Sequence, residues 1–168
     1  MDLLVIRHAI AMERDDFAAI SDDDDDRPLT DAGMKKMRRV AEGLRGLVAR
    51  IDVLAASPLT RALQTAHIVG ELYGMPVGRA VDALRPENSS ESFLAWTRDQ
   101  QLGDVCAIVG HEPNLGQLVT WLMTGRDEPR VSFKKGGACL LSFDGRLEPG
   151  GGTLRWLLTP AQLIQYGV

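Results

Sequence analysis

Short runs of wholly apolar residues, separated by longer segments with helical periodicity, constrain the fold of this 168-residue chain more than any other feature. Three such runs are Leu3–Ile6, Val53–Ala56 and Val105–Val109. A strand without polar side chains is typical of a parallel sheet that is covered on both faces. We therefore predict a parallel central sheet with helices packed against both of its sides.

The segments between these runs carry helix signals. Thr30 is placed to cap a helix over residues 31–49, in which apolar side chains recur on one helical face. Residues 9–29 are expected to form a polar loop. Later helices are predicted from Ser57-Pro58 to about Gly74, over about residues 89–101 behind a capping box of Asn88 and Glu91, from Pro113 to Met123, and at the end of the chain.

The last third of the sequence has a different pattern. Residues 136–143 and 153–158 flank a turn-rich segment and predict a β-hairpin. Residues 1–168 show no repeat and no interdomain linker, so we expect a single domain. The predicted fold class is α/β, with a three-layer α/β/α arrangement around a mostly parallel central sheet.

Composition excludes several classes of protein. The 19 basic and 23 acidic residues give a net charge of −4, which is the wrong sign for a dedicated nucleic-acid binder. No apolar run approaches the ~20 residues of a membrane span, and no signal-peptide pattern precedes the first strand, so we expect a cytoplasmic protein.

No apolar face is left unexplained, which favours a monomer. Cys106 and Cys139 lie in apolar runs and are expected to be buried free thiols.

Basic side chains and histidines follow the predicted strands at the points where the strands end. Arg7 and His8 end the first strand, Arg61 comes one turn after the second, and His111 follows the third. Because ligands of open α/β sheets bind outside the carboxyl ends of the strands, we expect these four side chains to converge.

Two arginines and two histidines without a carboxylate cluster predict a phosphoryl-binding pocket. The guanidinium group offers a planar fork of donors that suits phosphate. A metal site is disfavoured, because the set lacks carboxylate and thiolate ligands and two guanidinium groups would repel the ion. A neutral imidazole is a competent nucleophile, and nearby arginines keep it uncharged at neutral pH. We assign that role to His8.

Four ordered motifs carry a family resemblance. They are Arg7-His8, Arg27-Pro28-Leu29-Thr30, residues 57–66 (SPLTRALQTA) and Val109-Gly110-His111-Glu112-Pro113. In this order they resemble the motifs of the histidine phosphatase superfamily, which has the phosphoglycerate mutase-like fold. The short chain most resembles the small SixA-type branch, the protein phosphohistidine phosphatases.

The resemblance implies a mechanism without a cofactor. His8 would take the phosphoryl group from the substrate, and Arg7, Arg61 and His111 would hold that group until water hydrolyses the phosphohistidine. It also implies that Ser57, or a backbone amide beside it, touches the phosphate.

Two positions depart from the family pattern. Ala9 stands where the broader family has glycine, which matters if the backbone there needs a positive φ. The general acid of larger members has its nearest candidate in Glu87, with Glu91 behind it.

Three functions compete at this point. The first is hydrolysis of phosphohistidine on a signalling protein such as a phosphotransfer domain, and the second is hydrolysis of a small phosphorylated molecule by the same fold. The third is a module that only binds a phosphorylated peptide or carries phosphate on His8.

The run Asp22–Asp26 is expected to be a solvated, mobile loop and not a cation site. If it borders the pocket, it would repel acidic small molecules and favour a basic protein partner.

Overall fold

A six-stranded mixed sheet runs through the computed structural model, which describes residues 1–76 and 79–167. The strands are β1 (Asp2–Arg7), β2 (Val53–Ala56), β3 (Arg79–Ala80), β4 (Val105–Gly110), β5 (Ala138–Ser142) and β6 (Thr153–Leu158). The helices are α1 (Arg14–Ala18), α2 (Asp31–Leu47), α3 (Thr60–Tyr73), α4 (Ser90–Arg98), α5 (Asn114–Thr124) and α6 (Pro160–Gln165).

The strand order β3-β2-β4-β1-β5-β6 confirms a mostly parallel sheet. β1, β2, β3 and β4 pair in parallel, whereas β5 runs antiparallel to β1 and pairs with β6 as the predicted hairpin. β3 was not predicted, because its two residues are both exposed and carry no apolar signal.

Helices cover both faces of the sheet, as a three-layer α/β/α fold requires. Alternate side chains of β1 enter different cores: Leu4 and Ile6 belong to one cluster, whereas Leu3 and Val5 belong to the other. Residues of α2, α3 and α6 complete the first cluster, and residues of α4 and α5 complete the second. Successive residues of a strand point to opposite faces, so one apolar run serves both layers.

The predicted helix ends are confirmed where one local group decides them. The Thr30 hydroxyl oxygen accepts a hydrogen bond from the Gly33 amide at 2.9 Å and caps α2. Gly74 ends α3 in the left-handed conformation with φ 65°. Glycine is favoured there because it has no Cβ to clash.

Several predicted boundaries were wrong. The helix α2 ends at Leu47 and not at residue 49. Ser89, not Asn88, caps α4, because the Asn88 amide instead donates to the Asp82 carbonyl oxygen at 2.6 Å. The helix also ends at Arg98, three residues before the predicted position. Pro113 is the residue before α5 and not its first residue.

The predicted loop over residues 9–29 contains secondary structure. It holds α1 and a 3₁₀ turn over Asp24–Asp26. Phe17 anchors this segment, since it is buried in α1 although the residues on both sides of it are exposed. An isolated bridge between Ala11 and Leu29 ties the two ends of the segment together.

Both cysteines are free and buried, as predicted. Burial raises the pKa of the Cys106 thiol to about 12, and it raises the pKa of Cys139 as well. In the described part of the chain, no helix has the length and apolar character needed to cross a membrane.

Candidate active site

The sheet brings the two predicted histidines together. β1 and β4 are parallel neighbours with Arg7 opposite Gly110, so the residues that follow the two strands meet at one edge. The His8 amide donates to the Gly110 carbonyl oxygen at 3.0 Å. The rings of His8 and His111 lie with their centroids 5.1 Å apart, and both residues are buried.

The ring of His8 is oriented by the backbone of the next residue. His8 Nδ1 lies 2.7 Å from the carbonyl oxygen of Ala9. Because a carbonyl oxygen only accepts hydrogen bonds, Nδ1 carries the proton and Nε2 keeps its lone pair. The Ala9 amide in turn donates to the Thr65 hydroxyl at 3.0 Å, which fixes the segment against α3. In the described chain all residues with left-handed φ are glycines, so Ala9 fits with ordinary backbone geometry.

Burial keeps both imidazoles neutral. Burial lowers the pKa of His8 to about 4, helped by the charges of Arg61, Arg7 and Arg27 and opposed by the hydrogen bond to Ala9. Burial also lowers the pKa of His111 to about 3, with His8 and the same arginines adding to the shift. At neutral pH the Nε2 lone pair of His8 is therefore available for nucleophilic attack.

Unsatisfied nitrogens mark the place of a ligand. Over residues 1–76 and 79–167, four buried side-chain nitrogens lack a hydrogen-bond partner: Arg7 Nε, Arg61 Nε and both ring nitrogens of His111. A buried donor without a partner costs about 1–3 kcal/mol, so native proteins rarely leave several of them in one place. These nitrogens come from three of the four residues that the sequence predicted to converge. The two arginine Nε–H groups and the one ring nitrogen of neutral His111 that carries a proton can donate to an oxyanion.

Arg7 is held by the segment that leads into β5. Its Nη1 donates to the Phe133 carbonyl oxygen at 2.5 Å. Glu112 binds the same residue, since its Oε1 accepts from the Phe133 amide at 2.7 Å. Burial raises the pKa of Glu112, although the Phe133 amide and the Arg7 charge oppose that shift. Glu112 lies inside the histidine motif, but the sequence did not indicate this positioning role.

Ser57 and Glu87, the two other predicted site residues, contact protein groups. The Ser57 hydroxyl is buried and accepts from the Leu59 amide at 3.4 Å, at the start of α3. The Glu87 carboxylate lies 3.6 Å from Arg85 Nη1, and 60% of its side chain is exposed. Contact of Ser57 with phosphate and general acid catalysis by Glu87 stay predictions.

The acidic run borders the site. Asp24 Oδ1 lies 2.7 Å from Arg27 Nε and Asp24 Oδ2 lies 3.2 Å from Arg61 Nη2. Asp25 Oδ2 lies 2.6 Å from Arg85 Nη1. The prediction of a solvated, mobile loop is therefore wrong for these two aspartates. Among the residues that the structure describes, no group of three His, Cys, Asp or Glu side chains could hold a metal ion.

This geometry agrees with the family to which the chain belongs. Residues 3–85 match the family model of the histidine phosphatase superfamily (branch 1). The whole sheet and its helices also match the fold of solved members of that superfamily. The chain belongs to the histidine phosphatase superfamily and is a phosphatase.

Individual relatives refine the comparison. An uncharacterized protein of Picosynechococcus sp. is 34% identical over 139 residues, 82% of each chain. The phosphohistidine phosphatase SixA of Escherichia coli strain K12 is 28% identical over 167 residues, 97% of this chain and 96% of that one. The structure of the protein histidine phosphatase SixA complexed with tungstate is 26% identical, covers 97% of this chain and 99% of that chain, and has a TM-score of 0.80.

Proposed function

We propose that the protein hydrolyses phosphohistidine on a signalling protein through a phosphorylated His8. The observation that carries the proposal is the set of four unsatisfied buried nitrogens of Arg7, Arg61 and His111 beside a neutral His8. The near full-length similarity to phosphohistidine phosphatase SixA supports the choice of substrate.

Two displacements at phosphorus make up the reaction. In the first, His8 Nε2 forms a bond to phosphorus while the bond from phosphorus to the substrate imidazole breaks, and that imidazole takes up a proton from solvent and leaves as a neutral ring. In the second, water attacks the phosphorus of phospho-His8 and gives up a proton to solvent, while the bond from phosphorus to His8 Nε2 breaks. This step releases inorganic phosphate and restores neutral His8. Arg7, Arg61 and His111 stabilise the charge on the equatorial oxygens in both steps.

The carboxylates at the site favour a substrate with a good leaving group. Asp24 and Asp25 are paired with arginines, and Glu112 accepts from a backbone amide. With these partners, none of the three carboxylates is available as a dedicated proton donor. An imidazole leaving group needs little help from an enzyme acid, whereas an alkyl phosphate needs much more.

A small-molecule phosphatase is the competing function. The alpha-ribazole phosphatase from Shigella flexneri shares the fold with a TM-score of 0.70, but at 18% identity the likeness extends to the fold alone. The choice between the two substrates therefore needs a direct measurement.

The test is release of phosphate from a phosphohistidine-bearing phosphotransfer domain in the presence of EDTA. Wild type, His8→Ala and His67→Ala are compared, with p-nitrophenyl phosphate as a parallel substrate. His67 is the matched control, because its side chain is 54% exposed and pairs with Glu71 outside the site. We expect His8→Ala to lose at least about a thousandfold in rate and His67→Ala to match wild type.

The outcomes separate the candidates. Faster turnover of the phosphotransfer domain than of the ester, dependent on His8, supports the proposal. Turnover of the ester alone would assign the protein to small-molecule phosphatases. Binding without phosphate release, persisting in His8→Ala, would indicate a binding module.

A further inference from the structure

Asp24 holds one edge of the Arg61 guanidinium group. Its carbonyl oxygen accepts from Arg61 Nη1 at 2.8 Å, and its Oδ2 lies 3.2 Å from Arg61 Nη2. The Nε of the same guanidinium is buried and has no hydrogen-bond partner in the described part of the chain. The edge formed by Nη1 and Nη2 is thus occupied, and the edge that includes Nε is left for a ligand.

Arg27 in turn fixes the carboxylate of Asp24. Its Oδ1 accepts from Arg27 Nε at 2.7 Å, while Arg27 Nη1 donates to the Met12 carbonyl oxygen at 2.7 Å. Arg27 is buried, which is rare for an arginine unless it is paired, and its charged partner is Asp24. Partial burial raises the pKa of Asp24, but the hydrogen bond from Arg27 and the charge of Arg61 outweigh it, and the pKa lies below its usual value.

We infer that Asp24 is a positioning residue, which fixes the guanidinium of Arg61 so that its Nε edge faces the phosphoryl group on its way to and from His8. Arg27 holds Asp24 in place for this role. The inference rests on the proposed function, in which Arg61 binds the phosphoryl group. A donor that is already oriented stabilises the transition state without having to be ordered during the reaction.

The charge of Asp24 and its contact with Arg61 have opposite expected effects on the site. A carboxylate beside an anion site repels the anion, so removing it should leave phosphate binding equal or tighter. Loss of orientation should nevertheless slow the reaction. A lower kcat without weaker binding of phosphate is therefore the signature of positioning, and a merely structural role would not produce it.

The chain offers a matched control for Asp24→Asn. Asp26 lies in the same 3₁₀ turn and carries the same charge, but it is exposed and forms no ion pair with the other residues that the structure describes. Asp26→Asn thus changes the net charge of the turn equally without touching Arg61. A difference between the two variants reports the contact and not the charge.

The first measurement is the NMR spectrum of the arginine side chains in ¹⁵N-labelled full-length protein without substrate. Arg61→Lys assigns the Arg61 signals by their loss. In wild type and Asp26→Asn we expect separate Nη resonances for Arg61, because the guanidinium does not rotate freely. In Asp24→Asn we expect these resonances to average, and unchanged Arg61 signals in that variant would overturn the inference.

The second measurement combines turnover with calorimetric binding of inorganic phosphate. We expect Asp24→Asn to lower kcat about tenfold with no weaker binding of phosphate, and Asp26→Asn to stay within about twofold of wild type. Equal kcat values in the two variants would contradict the role of Asp24. If wild type itself releases no phosphate, the proposed function fails, while the NMR result still decides whether Asp24 orients Arg61.

Discussion

His8 and His111 couple the stability of the protein to pH. Their folded-state pKa values, about 4 and about 3, lie below the value of 6.5 for an ordinary histidine. Between pH 6.5 and 4 the unfolded chain therefore binds protons that the folded chain does not. The free energy of unfolding should fall as the pH drops through this range, by about 1.4 kcal/mol per pH unit for each histidine.

Urea unfolding from about pH 7 to about pH 5 measures this slope, in a buffer without phosphate. His111→Asn should flatten the curve, because one of the two titrating groups is gone. His67→Asn is the comparison, since it removes a histidine whose side chain is half exposed to solvent. A wild-type curve that stays level across this range would refute the prediction.

At the scale of elements, the contact between α2 and α6 depends on a glycine. A Cβ at Gly43 would lie 1.8 Å from the carbonyl oxygen of Leu163, so α6 would have to move away. We expect Gly43→Ala to destabilise the protein by about 1–3 kcal/mol, although alanine is the better helix former. Chemical denaturation measures the difference.

Gly70→Ala is the matched substitution, because Gly70 also lies inside a helix. There the nearest atom to the added Cβ is the Met75 carbonyl oxygen at 3.3 Å, which needs to give way only slightly. We expect Gly70→Ala to change the unfolding free energy by less than about 1 kcal/mol in either direction. Equal losses in both variants would argue against the close approach of α2 and α6.

At the scale of the whole molecule, one sheet joins two cores that should unfold together. Leu44 lies in the core beneath α2, and Leu122 lies in the core beneath α5, both fully buried. Replacing either residue with alanine should cost about 2–5 kcal/mol. Because β1 contributes side chains to both cores, each variant should shift one and the same transition.

Far-UV circular dichroism and tryptophan fluorescence test this cooperativity. Trp156 packs against the first core and Trp121 against the second, so fluorescence reports both layers. Coincident curves are expected for wild type and both variants. Ile20→Ala is the surface control, with a side chain that is 72% exposed. Separate transitions for the two signals would show that the layers are independent, contrary to a single domain.

The sequence alone was sufficient for the parts of the fold that depend on local chemistry. The apolar runs of β1, β2 and β4 predict buried strands, because they contain no polar side chain that could face water. Residues directly after parallel strands lie at the same edge of the sheet, so the sequence predicted that His8 and His111 share that edge, and the pairing of β1 with β4 makes them neighbours. The Thr30 cap and the Gly74 helix end were predicted because each depends on a single residue.

Tertiary structure alone decided features that depend on groups far apart in the chain. β3 exists because β2 offers it a partner, and its two exposed residues carry no signal of their own. Ser89 became the cap of α4 because the Asn88 side chain was drawn to Asp82. Asp24 resembles its acidic neighbours in sequence, and its contact with Arg61, 37 positions away, arises only when α3 packs beside the turn. Local pattern determines elements and strand ends, whereas the orientation of the charged groups depends on long-range packing.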